Sequence, residues 1–227
     1  VPCHNEEGNL ARYERELFPV LDALGVPCEV VIVDDGSTDG TASVCEKLRA
    51  SRPETVVVRL TPNRGLGGAL RAGFNAARGQ WIATLDADLT FRPSALKDML
   101  ALAKSEDADL IAGSPYLRPG DLASVPWARR LPSLMMNALY RGLFGMRLTA
   151  YTPVFRLYRA PRLHGLDLTA EGFEINAEIA ARAVLADWKT AEVPAALETR
   201  TAGVSKLRRW RELSRHASLI ARLLAGR

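Results

Sequence analysis

Short apolar runs alternate along the chain with segments whose apolar residues recur every three or four positions. Val30-Val31-Ile32-Val33 is β-branched throughout and runs into Asp34-Asp35-Gly36. Thr55-Val56-Val57-Val58-Arg59-Leu60 leads to Pro62-Asn63, Trp81-Ile82-Ala83-Thr84-Leu85 to Asp86-Ala87-Asp88, and Asp109-Leu110-Ile111-Ala112 to Gly113-Ser114. Short continuous apolar runs bounded by turn residues read as buried strands. Between them lies helical spacing. Segment 7–24 carries Leu10, Leu17, Val20, Leu21 and Leu24. Segments 41–50 and 66–77 are similar, and Pro93 opens a helix to about residue 103, since proline suits a first helical turn. The alternation predicts an α/β fold with a mostly parallel sheet flanked by helices.

The second half has a different rhythm. Segment 125–143 reads as one helix interrupted at Pro132, and Phe155-Arg156-Leu157-Tyr158 as a strand. A helix follows over 174–186, then a short strand, Thr190-Ala191-Glu192-Val193, stopped by Pro194. Segment 205–224 is an amphipathic helix. Leu207, Trp210, Leu213, Ala217, Ile220 and Leu224 lie near one face, and Arg208, Arg209, Arg211, Arg215 and Arg222 supply the rest. The expected organisation is a catalytic domain over 1–204 and a basic C-terminal helix over 205–227, serving as a membrane or packing element.

Composition narrows the function classes. The 227 residues, 48% hydrophobic and 25% charged, fit one large domain whose core needs no disulfides. A net charge of +4 is too mild for a dedicated nucleic-acid binder, so no nucleic-acid partner is expected. Cys3, Cys28 and Cys45 form no C-x-x-C pair, which argues against a zinc knuckle or disulfide framework and suits a reducing compartment. No apolar run reaches the ~20 residues that span a bilayer. The chain opens at Val1-Pro2, on what reads as the end of a strand. The expectation is a trimmed chain at the cytoplasmic face of a membrane, either peripheral or the cytoplasmic domain of a membrane protein.

Ligands of open parallel sheets bind outside the carboxyl ends of the strands. Asp34, Asp35, Asp86 and Asp88 should therefore gather at one rim. Crowded like charges there are relieved by a divalent cation. One acidic turn alone reads as turn chemistry; two acidic strand ends in one sheet point to a site. In Asp86-Ala87-Asp88 the carboxylates at i and i+2 of an extended chain point the same way. They can share Mg²⁺ or Mn²⁺, with diphosphate oxygens completing the shell.

Four blocks carry a family resemblance. Val1-Pro2-Cys3-His4-Asn5-Glu6-Glu7, Val33-Asp34-Asp35-Gly36-Ser37-Thr38-Asp39-Gly40-Thr41, Asn63-Arg64-Gly65-Leu66-Gly67-Gly68-Ala69 and Asp86-Ala87-Asp88-Leu89 resemble the opening blocks of glycosyltransferase family two, which has the GT-A fold. The resemblance implies Pro2 and Glu6 near the base, Asp35 near the nucleoside, Arg64 in donor binding, and Asp86 and Asp88 at ribose and metal. The second half resembles the dolichyl-phosphate mannose synthase branch, through the spacing of Arg129, Ser133 and Asn137, Phe155-Arg156-Leu157-Tyr158-Arg159, Asn176-Ala177-Glu178, and Glu192-Val193-Pro194 with Arg200, Gly203, Ser205, Lys206 and Leu207. It implies that Arg129, Ser133, Arg200 and Lys206 bind the donor diphosphate and the acceptor phosphate. Arg forks and Lys point charges suit that task.

The chain departs from the branch at Ala150, where an acid is usual, at Pro115, in place of a block arginine, and at Thr90, in place of glutamine. The implied activity is inverting, metal-dependent transfer of a hexosyl group to a polyprenyl phosphate at a membrane surface. The donor is a nucleotide sugar of the GDP-mannose or UDP-glucose type, and Asp86, Asp88 and Glu178 are the catalytic candidates. Two alternatives stand beside it. A glycan-extending transferase would need Glu178 or Glu174 to accept a proton from a sugar hydroxyl. A non-catalytic nucleotide-sugar-binding relative would account for Ala150 and Pro115. A dinucleotide-binding oxidoreductase fails, because the third glycine of G-x-G-x-x-G falls at Leu70.

Overall fold

In the computed structural model residues 1–198 and 209–226 are described, apart from the side chains of Ala128, Arg129 and Arg209. In chain order the elements are β1 (Pro2–Cys3), α1 (Glu7–Leu10), α2 (Tyr13–Glu16), α3 (Phe18–Asp22), β2 (Val30–Asp35), α4 (Thr41–Ser51), β3 (Thr55–Leu60), α5 (Gly65–Ala76), β4 (Trp81–Thr84) and α6 (Ala95–Ser105). There follow β5 (Leu110–Ser114), α7 (Trp127–Phe144), β6 (Arg156–Arg159), α8 (Ala160–His164), α9 (Ile175–Leu185), β7 (Thr190–Pro194) and α10 (Arg209–Ala225). Every strand expected from the apolar runs is present.

The strands form two sheets rather than one. The first has the order β1-β2-β3 and is parallel throughout. The second has the order β4-β6-β5-β7; β6 runs antiparallel to both its neighbours, while β5 and β7 are parallel. The division follows from the shortness of β1, which brings only Pro2 and Cys3 to the ladder, opposite Val33 and Asp34. An apolar cavity of about 430 Å³ lies between β2 and β4, lined among others by Val1, Val31, Trp81 and Ala83.

Two hydrophobic clusters hold the layers together. One joins Leu10, Tyr13 and Leu17 of the N-terminal helices to Ile32, Leu48, Met99 and Phe155. The other joins Leu70 and Phe74 of α5 to Tyr140 and Phe144 of α7, Ile175 and Ile179 of α9, and Leu219 and Leu223 of α10. Helices thus cover the sheets with separate cores, as a layered α/β architecture requires.

Three expectations change. The single helix read over 7–24 is three short ones; the second break falls just before Pro19, which has no N–H to give an interior turn and instead sits in the first turn of α3. Pro132 does not divide α7, which runs 18 residues through it. The face of α10 that packs is also different. Trp210, Leu213, Ala217 and Leu224, expected together on the apolar side, are exposed, while His216, Leu219 and Leu223 are buried. His216 explains the rotation. Its Nδ1 and the Tyr140 hydroxyl lie 2.8 Å apart in a buried hydrogen bond, which periodicity in apolar residues alone does not register.

The Gly-rich start of α5 accepts segment 170–171 at close range. The N–H of Gly67 donates to the Glu171 carbonyl at 2.7 Å, and a Cβ at Gly67 would collide with the Ala170 carbonyl oxygen. Arg71 donates to that same Ala170 carbonyl.

Two outcomes follow from this packing. Gly67→Ala must push segment 170–171 off α5, and overpacking of this kind costs about 1–3 kcal/mol; a chemical denaturation midpoint equal to that of the parent would refute the contact. Burial lowers the His216 pKa from its ordinary value, against a smaller opposing effect of Glu174. The unfolded chain then binds the proton more readily, so neutral His216 contributes stability above about pH 6.5 that is lost as the pH falls toward the folded-state pKa. Melting temperatures of the parent and His216→Gln should differ most near neutral pH and converge on acidification. A difference that does not vary with pH rules this out.

Candidate active site

The carboxyl ends of β1 and β2 are stitched together by polar side chains. The N–H of Asn5 donates to Ser37 Oγ at 2.9 Å, and Asn5 Oδ1 accepts from the N–H of Thr38 at 2.7 Å. Asn5 adopts φ 54°, one of the few residue types that reach that region readily. The N–H of Glu6 donates to Thr41 Oγ1 at 2.8 Å, while its carboxylate accepts from Asn9 Nδ2 at 2.6 Å. Pro2 precedes this loop on β1.

Asp34 and Asp35 are both buried. Asp34 Oδ1 accepts the Ser37 N–H at 3.0 Å, and its other oxygen lies 3.9 Å from Arg59. Asp35 Oδ1 accepts the N–H of Arg64 at 2.7 Å, and its carbonyl accepts from Asn63 Nδ2 at 2.7 Å. Asp35, Asn63 and Arg64 are therefore one unit at the amino end of α5, where backbone N–H groups and the helix dipole favour negative charge. The Arg64 side chain is exposed. It borders a polar pocket with Arg71, Arg211, Arg215, Glu171 and Glu212.

Asp86 and Asp88 follow β4 in a tight turn. The N–H of Leu89 donates to the Asp86 carbonyl at 3.1 Å and Leu89 has φ 53°. Asp88 is buried, and its Oδ1 accepts the N–H of Thr90 at 3.1 Å. Tyr13 of α2 is fully buried and donates its hydroxyl to the Ala87 carbonyl at 3.1 Å. Burial first, and then the nearby Cys3, Asp88, Asp86 and Glu6, push the Tyr13 phenol well above its usual range. Tyr13 senses the charges of Asp86, Asp88 and Glu6 together, so the acidic turn after β4 lies close to the loop after β1. Among the described residues no three His, Cys, Asp or Glu side chains form a metal cage. The protein offers a cation two hard carboxylates, which fits Mg²⁺ or Mn²⁺ whose other ligands are substrate oxygens and water.

The end of the second sheet meets this turn. Phe91 forms a β-bridge with Leu197, and the N–H of Glu198 donates to the Thr90 carbonyl at 2.9 Å. Leu197 is also tied to segment 121–124, through the Asp121 carbonyl at 2.9 Å and Ser124 Oγ at 2.8 Å. The chain leading to α7 is thereby fixed beside the acidic turn. Arg200 and Lys206 lie outside the described residues, as does the side chain of Arg129.

On α7, Ser133 and Asn137 join a hydroxyl–amide network. Tyr116 and Ser133 hydroxyls lie 2.9 Å apart, Asn137 Nδ2 donates to Tyr116 at 3.0 Å, and Thr152 is 3.2 Å from Ser133. Asn137 Oδ1 accepts the N–H groups of Tyr151 and Thr152. Glu192 of β7 holds the same loop from the other side, accepting from the N–H of Thr149 at 2.9 Å and of Ala150 at 3.1 Å. The loop without an acid at Ala150 is therefore clamped by the acid at Glu192. Arg156 is fully buried beneath it and donates to the carbonyls of Asn176, Ala150 and Tyr151.

Glu178 is fully buried on α9. Its oxygens accept from the N–H of Thr169 at 3.1 Å, the N–H of Ala170 at 2.8 Å, the Thr169 hydroxyl at 3.1 Å and Arg182 at 3.0 Å. Glu174 accepts the N–H groups of Glu171 and Gly172. Both carboxylates are committed to loop 169–172, the loop that Gly67 admits. Tyr13, Asn5, Tyr116 and Glu192 shape the site without having been singled out for it in the sequence. Asn5 and Glu192 lay inside the quoted blocks, and Tyr116 directly follows Pro115 in the block that lacks its arginine; nothing in the sequence pattern marks Tyr13.

Comparisons with known proteins agree with this geometry. A polyprenol monophosphomannose synthase of Mycolicibacterium smegmatis is 32% identical over 214 residues, covering 91% of this chain and 79% of the relative. An undecaprenyl-phosphate 4-deoxy-4-formamido-L-arabinose transferase of Shewanella sediminis is 34% identical over 161 residues, which are 70% of this chain and 46% of that protein. Among solved structures, the glucosyl-3-phosphoglycerate synthase of Mycobacterium tuberculosis superposes with a TM-score of 0.69 at 22% identity, covering 99% of this chain and 77% of the other. The Pyrobaculum calidifontis mannosyltransferase PcManGT, solved with GDP-Man and Mn²⁺, gives 0.62 at 18% identity, covering 99% and 61%. These likenesses establish the GT-A fold. The description of glycosyl transferase family 2 matches residues 1–164, and with the acidic turn and the donor-side loops in place the chain belongs to that family.

Proposed function

We propose that this glycosyltransferase transfers a hexosyl group, with inversion, from a nucleotide sugar to a polyprenyl phosphate at the cytoplasmic face of a membrane. The observation that carries the reading is the stitching of the acidic turn to segment 197–198, through Thr90 and Phe91. It supports a site in which the acidic turn adjoins segment 197–198 and, through it, segment 121–124, which leads into α7. The two polyprenyl-phosphate relatives named above support the acceptor, and the Mn²⁺ complex of the mannosyltransferase supports a divalent metal.

Asp86 and Asp88 would hold Mg²⁺ or Mn²⁺, which supplies positive charge to the leaving nucleoside diphosphate. Pro2, Glu6, Asp35 and Arg64 receive the nucleoside end; the Asp35–Arg64 backbone contact keeps that end rigid before substrate arrives. Arg129, Ser133, Arg200 and Lys206 bind phosphate oxygens of donor and acceptor. A phosphate acceptor is already anionic at neutral pH, so its oxygen attacks the anomeric carbon without a strong base. A sugar hydroxyl would need one. Of the two residues expected to serve, Glu178 has its oxygens occupied by backbone N–H groups and Arg182, and is better assigned to positioning loop 169–172, while Glu174 gives one oxygen to the N–H groups of Glu171 and Gly172. The engagement of Glu178 supports the phosphate acceptor; a glycan-extending transferase would have to rely on Glu174.

Asp88→Asn keeps an oxygen for the Thr90 N–H and removes the charge. Calorimetric titration of GDP-mannose or UDP-glucose should show Mn²⁺-dependent affinity reduced at least about tenfold, the lower end of what even an outer-sphere partner of a metal costs, with the melting temperature little changed. Equal metal-dependent affinity in variant and parent sinks the assignment. Glu178→Gln should destabilise the fold by about 1.5–3 kcal/mol, the worth of hydrogen bonds to a charged group. Turnover of the folded enzyme at saturating substrate should stay close to the parental rate. A loss on the order of 10²–10⁴ without destabilisation would instead identify a proton acceptor.

A further inference from the structure

Among the described residues, α7 carries more of the exposed large hydrophobic side chains than any other element. Trp127 is 72% exposed, Met135 64%, and Leu131, Leu134 and Leu139 each between 44% and 46%. Their spacing, i, i+4, i+7, i+8 and i+12, places all five on one side of the helix. The opposite side is turned inward, with Asn137, Tyr140 and Phe144 buried. Monomeric soluble proteins seldom expose so continuous an apolar stripe on one element.

Charge identifies what covers it. From Leu122 to Leu148 the sequence contains no Asp or Glu but has Arg129, Arg130, Arg141 and Arg147. An apolar stripe with an exposed tryptophan at one end, on a helix whose own charged residues are all arginines, matches an interfacial helix on an anionic bilayer. The stripe is also continuous with the candidate acceptor site, since Ser133 and Asn137 on the same helix join the network with Tyr116 and Thr152. By contrast, α10, the element expected from sequence to meet the membrane, uses His216, Leu219 and Leu223 to pack on the domain and leaves exposed only the Trp210–Leu213 pair at its start and Leu224 near its end.

We propose that α7 is the membrane-docking element, with the Trp127–Leu131–Leu134–Met135–Leu139 stripe seated in the headgroup and acyl boundary of an anionic leaflet. The inference rests on the proposed lipid-phosphate acceptor only for its purpose. A helix lying in the interface brings Ser133 and Asn137 to the depth of a lipid phosphate whose chain stays in the bilayer.

The test is flotation of the 227-residue chain with vesicles of phosphatidylcholine alone and of phosphatidylcholine with phosphatidylglycerol. The parent should float with the anionic vesicles. The double variant Leu131→Glu/Met135→Glu alters only exposed positions, and its thermal melt should match the parent. Its vesicle-bound fraction should fall at least about tenfold. The comparator Trp210→Glu/Leu213→Glu should lose less. The proposal is overturned if the α7 variant floats as well as the parent, or if the parent fails to float with anionic vesicles. It is also overturned if the parent is a dimer in solution that the α7 variant dissociates, which would make the stripe an interface between copies. Transfer to a short-chain, water-soluble isoprenyl phosphate is measured separately. If that transfer fails while the flotation result holds, the acceptor assignment falls and the docking surface stands.

Discussion

Loops that leave the carboxyl end of a sheet carry backbone N–H groups with no ladder partner, and a buried one left unpaired is costly. In this protein carboxylates accept them. Asp34 holds Ser37, Asp35 holds Arg64, Asp88 holds Thr90, Glu174 holds Glu171 and Gly172, Glu178 holds Thr169 and Ala170, and Glu192 holds Thr149 and Ala150. Charge-assisted bonds of this kind are stronger than neutral ones. They satisfy loop backbone N–H groups, which the burial of Leu89, Tyr151 and Ala170 in the same loops does not do. The rim of the crevice is thus a set of acid-anchored loops, and the rest of the site is built on it.

This constraint separates acids that hold structure from acids left for substrate. A carboxylate whose oxygens are all engaged by N–H donors and a guanidinium, as in Glu178, has its charge compensated within the protein and has little reason to take a proton from a ligand. Asp35 and Asp88 each hold a loop N–H through one carboxylate oxygen, and that bond fixes the direction of the whole carboxylate. A metal or nucleoside site gains from this arrangement, since groups already aligned need no reorganisation when substrate binds. Burial first, and then the neighbouring Cys3, Asp88, Asp86 and Glu6, raise the Tyr13 phenol, so the acidic turn and Glu6 act on one buried group.

Much of this was legible in the sequence, and what was not has identifiable causes. The runs at Val30, Thr55, Trp81 and Asp109 gave away strands through apolar continuity bounded by turn residues, whether the strand is fully buried as β5 is or half-buried as β3 is. Asp86-Ala87-Asp88 stood out because it ends such a run. The role of Glu178 did not, since an acid on a helix reads the same whether it faces water, substrate or a loop 9 residues away. The packing face of α10 was misread by one helical column because a histidine paired with Tyr140 counts as polar in any periodicity. Likewise the two sheets could not be told from one, because strand pairing depends on how much of β1 joins the ladder, which the apolar pattern does not encode. Pro19 was a visible signal that segment 7–24 would break, and periodicity outweighed it.

A lipid-linked acceptor sets a geometric demand that ordinary soluble substrates do not. Its phosphate must reach the reacting centre while its hydrocarbon remains in the bilayer, so some element of the enzyme has to be polar toward the crevice and apolar toward the lipid. Helix α7 has that division within a single turn. Ser133 faces the Tyr116 and Thr152 hydroxyls, and its neighbours Leu134 and Met135 face outward. The helix is rigidly tied at both ends of its inner face, by segment 121–124 to the acidic turn and by Tyr140 to α9 and α10. A helix free to roll would bury its own leucines and lose the outward stripe. Its fixed roll is therefore what keeps apolar residues exposed at a cost in solvation, and the network anchored on Asn137 is the part of the structure that enforces it. The acid-anchored rim and the exposed stripe are then two results of one design, in which polar groups buried near the crevice decide what the outer surface must show.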